Sequence, residues 1–369
     1  MPPVVGSISS QIDTATGAVE VYFITADTHV RQWRWLASTG WTQLDFKSSI
    51  GAPDAALAAP LAVMMDTPNS RPEVYYTGGD SHVHQIYWDS VTGWHQFDVG
   101  GFTNAPNNSS GFRTVDTLMD TVTGRPEIYY ATSTGDLEQL YWDSVNGWQA
   151  ADITTLTGGP GPGANGAVTT LIDTVTHAPE IWFVGTDMHI HQTAWNTTTG
   201  WHNFDISAAA GSVNAPLGGG ISVLVDSLTG NRLEAYYIGG DQHIHQLYFT
   251  GTSWGTADIT TATEAEPTEV AGPITAKIDS FTGQLEIYYV DDNLDIRQLS
   301  WTSSQGWNSF DVSNFTGAPT AAPLTSLSSL NDTVSGEFEI YFTADDAHLH
   351  QLSWSSTNGW RHFDVTAGH

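Results

Sequence analysis

The chain has 369 residues, 40 acidic against 10 basic side chains, a formal net charge of −30 and no cysteine. A field of that sign repels phosphate backbones and anionic lipid, so nucleic acid and membrane surfaces are poor partners. The missing cysteines exclude a disulfide framework and a thiolate metal site.

The opening residues 1–7 carry neither a basic nor an apolar leader segment, and no stretch approaches the roughly 18 apolar residues of a spanning helix. A soluble protein without membrane insertion is expected, cytoplasmic or exported without a recognisable signal peptide. In chain order, a first strand is predicted over residues 4–12. A pattern then sets in that the second repeat shows most clearly. Residues 58–65 form a short strand of small residues, A, and a turn follows over 66–72. Residues 73–77, Glu-Val-Tyr-Tyr-Thr, form strand B, rich in β-branched and aromatic side chains. Strand C covers 83–88 and ends on Trp88, a turn ending in Gly93 follows, and strand D runs from Trp94 to Val99. No segment has a sustained 3.6-residue period, so helices should be nearly absent.

The pattern recurs seven times. A Gln falls at Gln32, Gln85, Gln139, Gln192, Gln246, Gln298 and Gln351, and the aromatic three residues later is Trp35, Trp88, Trp142, Trp195, Phe249, Trp301 or Trp354. The steps are 53, 54, 53, 54, 52 and 53 residues. A fixed period of this size means one supersecondary unit repeated. Four short strands in each of seven units predict an all-β, seven-bladed β-propeller with four antiparallel strands per blade, a single domain over residues 1–369. Turns within a unit are of hairpin length and the D–A links are longer. Strand A should therefore be innermost, each blade should come from one contiguous repeat, and blade boundaries should lie near Ile50, Asn104, Gly159, Ala210, Glu264 and Thr316.

Side-chain alternation separates two faces on strand D. Phe97 and Val99, like Phe204 and Ile206 or Phe310 and Val312, are expected on an apolar face. The other face carries Trp, a small or polar residue, then Asp. A tryptophan repeated on a polar face suits a sugar, whose C–H face stacks on an aromatic ring while carboxylates, amides and imidazoles bond its hydroxyls. The candidates are Trp41, Trp94, Trp148, Trp201, Trp307 and Trp360. The alternative, that the Trp packs on the neighbouring blade and the Asp bonds backbone amides, stays open. Strand direction defines two rims. One gathers Asp66, Arg71, Glu73, Trp88 and Trp94, with the Glu repeated in every unit. The other receives four His-x-His pairs, His82/His84, His189/His191, His243/His245 and His348/His350, as further carbohydrate-binding candidates. Six strand residues between the rims span ~20 Å, so the two sets cannot share one monosaccharide. A zinc reading of His-x-His needs a third protein ligand, and no carboxylate restricted to those repeats stands out; no metal or other cofactor is expected.

Catalysis wants one asymmetric constellation, whereas these carboxylates repeat in all units, so no catalytic residue is assigned. Carbohydrate binding is the preferred class. A protein-interaction scaffold and, behind it, a propeller glycosidase remain as alternatives. The segments from Trp88 to Asp98, Trp195 to Asp205, Trp301 to Asp311 and Trp354 to Asp364, together with the period and the seven units, resemble the Photorhabdus-type seven-bladed propeller lectins. The resemblance implies binding of L-fucose and O-methylated sugars in grooves between blades, no catalysis, and self-association as a homo-oligomer. The fifth repeat departs from the pattern with Phe249 and the segment Gly255-Thr-Ala-Asp258, and the third with Ala151, Asp136 and Glu138.

Overall fold

Strand B concentrates the β-branched and aromatic residues, and in the second repeat Val74, Tyr75 and Tyr76 are fully buried, one side chain to each face in turn. Burial on both faces makes it an interior strand, flanked by A and C. The computed structural model describes residues 2–108, 114–174, 176–269 and 271–368. The chain is all-β, with seven four-stranded antiparallel sheets that are the blades of a seven-bladed β-propeller. Each blade comes from one contiguous repeat in the order A-B-C-D, as in Leu61–Asp66, Arg71–Thr77, Val83–Asp89 and Gly93–Asp98.

Two compact units divide the chain. Val4–Asp205 holds the first four blades, and the last three follow from Ile206 onward. Within each unit the innermost strands of consecutive blades pack together. Side chains bond the backbone of the next blade there: Asp116 Oδ2 accepts the Thr170 N–H at 2.7 Å, and Ser222 Oγ accepts the Ala276 N–H at 2.9 Å.

Turn chemistry sets the register. At the A–B turn of blade 3, Asp120 accepts the Val122 N–H at 2.8 Å and the Thr123 hydroxyl at 2.5 Å. At the C–D turn of blade 2, Asp89 accepts two backbone N–H groups, and Gly93 takes φ 87°, a left-handed value that suits glycine. Closing that hairpin places Trp88 opposite Trp94, Gln85 opposite Phe97 and His84 opposite Asp98.

Two expectations need correction. The D–A links are not free of helix: six begin with a five-residue helix, such as Val99–Thr103 and Ile153–Thr157. Their shortness explains why periodicity misses them, since one turn shows no repeat. Nor do the paired residues near the end of strand D share an apolar core face. Val99, Ile206 and Val312 are buried, but as first residues of these helices, while Phe204 is 50% exposed and Phe310 is also exposed.

Candidate functional site

Grooves open between adjacent blades at the end where the A–B and C–D turns lie. One of about 520 Å³ separates blades 3 and 4, with Arg125, Glu127, Gln139 and Tyr141 on one wall and Trp195 and Trp201 on the other. Counterparts lie between blades 1 and 2, around Glu20, Arg34, Trp88 and Trp94, and between blades 5 and 6, around Arg232, Glu234, Trp301 and Trp307.

The carboxylate in each groove is held from behind. In blade 3 the Tyr129 hydroxyl donates to Glu127 Oε2 at 2.5 Å and receives the Gln139 Nε2 at 3.0 Å. The same Glu–Tyr–Gln chain recurs as Glu20–Tyr22–Gln32, Glu73–Tyr75–Gln85, Glu286–Tyr288–Gln298 and Glu339–Tyr341–Gln351. In blade 4, Trp182 takes the tyrosine's place and donates its indole N–H to Glu180 at 3.2 Å. The Gln that marks every repeat is thus the last link of a buried network. Burial dominates the electrostatics: it pushes Glu20, Glu127 and Glu180 up to about 7, and Glu286 and Glu339 up to about 8.

Arginines reach the other oxygen. Arg71 Nη2 is 2.6 Å from Glu73 Oε1, Arg232 Nε donates to Glu234 Oε1 at 2.5 Å, and Arg34 Nε is 3.4 Å from Glu20 Oε1. Arg71 and Arg232 enter from the start of strand B and lie over Tyr87 and Tyr248, each 4.8 Å from the ring centre, which fixes the guanidinium plane. Arg34 enters from strand C, so one function is served from two positions of the repeat.

The facing wall is a pair of tryptophans packed edge to face. Trp195 and Trp201 have ring centres 5.5 Å apart, and Trp88 and Trp94 5.4 Å. The second Trp of each pair is the inner one. Trp201, Trp148, Trp307 and Trp360 meet edge-on Tyr129, Tyr75, Tyr236 and Tyr288 of the preceding blade. Trp94 does the same with Phe46. Trp94, Trp201 and Trp307 line grooves, Trp148 is only 4% exposed, and Trp41 lies edge-on to Trp33. In blades 2, 3 and 4 the first Trp is the open one, with Trp142 42% exposed. Reading strand D alone nominates the inner Trp and leaves out Trp88, Trp195, Trp301, the arginines and the glutamates. A glutamate recurring within a strand of buried aromatics was the signal for them, because a buried carboxylate needs partners.

The histidine pairs stand at the opposite end of strand C, bonded within their own blades. His82 Nδ1 is 3.1 Å from Asp98 Oδ2 and His84 Nε2 is 3.0 Å from Asp80 Oδ1. His189, His191, His243, His245, His348 and His350 repeat this arrangement. Carboxylates accompany these pairs without being restricted to them: Asp80, Asp187, Asp241 and Asp346 each stand four residues before the second His, as Asp27 does before Arg31. The closing Asp of strand D also caps the following helix, as Asp98 accepts the Gly101 N–H at 2.7 Å. Its engagement with backbone amides is the structural role weighed above.

Comparison with known proteins shows the family. The profile of the fungal fucose-specific lectin family matches residues 5–272. The fucose-specific lectin of Aspergillus fumigatus is 25% identical over 174 residues, which is 46% of this chain and 54% of that protein, so the chain spans about half the length of this curated relative. The BP39L lectin of Burkholderia pseudomallei superposes with a TM-score of 0.74 at 13% identity, over 97% of this chain and 98% of that one. The six-bladed Aleuria aurantia lectin, known for a novel fucose recognition mode, gives 0.57 at 16% identity, over 100% and 97%. At such identities the two structures speak for the fold, while the profile, matching well over half of the sequence, places the chain in the fungal fucose-specific lectin family.

Proposed function

We propose that the protein is a multivalent, non-catalytic lectin that takes L-fucose, together with O-methylated or related sugars, in the grooves between adjacent blades. The observation that supports this best is the return of a guanidinium, a buried glutamate and a pair of tryptophans around one cavity in three grooves. A guanidinium donates and a carboxylate accepts, so together they read neighbouring hydroxyls, while the indole face takes the C–H side of the ring. Pro179, Pro72 or Leu285 completes each groove with an apolar spot, which suits the methyl group of a 6-deoxy sugar. Hydrolysis would need two carboxylates free to act on either side of one bond. In the groove of blades 3 and 4, Asp120 is engaged by its turn and Glu127 by Tyr129.

Calorimetric titration with L-fucose, for the parent and for Arg125→Ala and Trp195→Ala, tests the reading. One binding equivalent should disappear in each variant. Absence of fucose binding in the parent, or unchanged stoichiometry in both variants, would remove the sugar from this groove. A glycan array then ranks fucosylated against O-methylated ligands.

A further inference from the structure

Away from the grooves, the other end of the blades carries titratable side chains that the sugar reading leaves without a task. In blade 7 the B–C turn supplies Asp346, strand C supplies His348 and His350, and the end of strand D supplies Asp364. One ligand atom from each lies within 4.8 Å of all the others. His350 Nε2 is 3.1 Å from Asp346 Oδ1, and His348 Nδ1 is 2.8 Å from Asp364 Oδ2. Blades 2, 4 and 5 hold related groups.

Two other blades show what this slot demands. In blade 1 an arginine replaces the second His: Arg31 donates to both oxygens of Asp27 at 2.7 Å and to Asp45 Oδ2 at 2.9 Å. In blade 6, Arg297 Nε is 2.8 Å from Asp291 Oδ2 and its Nη2 is 3.3 Å from Asp311 Oδ2. A carboxylate near the B–C turn and another at the end of strand D are therefore joined by a permanent cation. Imidazole holds no such permanent charge near neutral pH. Blade 7 instead offers two carboxylates and two imidazole nitrogens, and blades 2, 4 and 5 two carboxylates and one imidazole, donor sets and a negative charge that suit a divalent ion of the zinc class.

Blade 4 adds an independent observation. Asn203 Nδ2 donates to the Thr193 hydroxyl at 3.0 Å, which turns Asn203 Oδ1 toward His191 Nδ1, also at 3.0 Å. An amide oxygen only accepts, so the imidazole proton belongs on Nδ1. The opposite nitrogen, Nε2, is 3.1 Å from both oxygens of Asp187, which accept as well. Nε2 is thus the nitrogen that faces the carboxylate, where a cation shared with Asp187 would compete with a proton. An outer hydrogen bond that fixes the tautomer is the arrangement found behind metal-bound histidines. His362 takes the corresponding place in blade 7, with its Nε2 2.8 Å from His350 Nδ1.

We propose that the His-x-His ends of blades 2, 4, 5 and 7 bind divalent cations of the zinc class, with Asp346, His348, His350 and Asp364 forming the most complete site. The ion would tie the B–C turn to strand C and to the end of strand D, as a guanidinium does in blades 1 and 6. Binding would displace protons from the imidazoles and so weaken as pH falls. The test titrates untagged, EDTA-stripped protein with Zn²⁺ at neutral pH by calorimetry, alongside melting curves. Zn²⁺ should bind and raise Tm. His350→Arg, which copies blades 1 and 6, should lose one equivalent with the metal-free Tm kept. His348→Ala should lose the same equivalent, and fucose binding should not change in either. If untagged protein takes up no Zn²⁺, or both variants bind as many ions as the parent, the proposal fails.

Discussion

At the level of single residues, the two tryptophans of the third repeat divide their work by depth. Trp148 is buried against Tyr75, whereas Trp142 stands open beside it, 5.8 Å away between ring centres. Trp148→Ala should therefore cost about 3–5 kcal/mol of stability, the usual range for removing a buried Trp. Trp142→Ala should cost under ~1 kcal/mol and, on the proposed reading, remove one fucose equivalent. Urea denaturation of both variants, with fucose stoichiometry measured beside it, checks the split. An equal loss of stability in the two would show that both rings are scaffold. Parity along strand D cannot reveal this difference, because both tryptophans obey the same alternation and face each other across one hairpin.

At the level of elements, the closing Asp owes its recurrence first to the one-turn helix behind it. Asp152 accepts the Thr155 N–H at 2.8 Å and the Thr155 hydroxyl at 2.6 Å, with no histidine among its described partners. It isolates the capping role from the histidine contacts seen in other blades. Asp152→Ala should cost about 1 kcal/mol, and Asp152→Asn, a competent cap, far less. Equilibrium unfolding would show both, and equal losses would mean that charge rather than capping is at work. Strands A to D were legible because their hydrophobic pattern and turn residues agree. These helices were not, since five residues carry no period and gain their stability from Val99, Ile153 or Ile259 buried beneath them.

At the level of the whole molecule, the buried glutamates make stability depend on pH. Their folded values are raised by burial from an ordinary 4.5 to about 7 for Glu20, Glu127 and Glu180, and to about 8 for Glu286 and Glu339. Between those limits the folded chain holds protons that the unfolded chain has released, so stability falls as pH rises. Aspartates shifted the other way, such as Asp258 at about 2, lose their contribution only in acid. Denaturation midpoints should thus be higher near pH 5 than near pH 8. A midpoint that rises over that interval would contradict the upward shift of the groove glutamates. On the proposed reading, repetition of the groove would convert several weak sites on one molecule into avidity on clustered glycans.

What the amino-acid sequence determined by itself was the seven-fold repeat, the A-B-C-D order, one contiguous repeat per blade and the separation of two rims. All of these follow from period, turn length and alternation, which are local properties of the chain. It also held a pointer to the groove in the glutamate of strand B, read as a feature of its rim without a role. The tertiary structure decided which blade meets which. Pairing Arg125 and Glu127 of one repeat with Trp195 and Trp201 of the next joins residues about seventy positions apart. No periodicity within a repeat encodes that juxtaposition, because it arises only when blades pack. The same holds for the histidines: a strand places both imidazoles on one face, but only folding brings Asp346 and Asp364 to them from the turn before and the strand after.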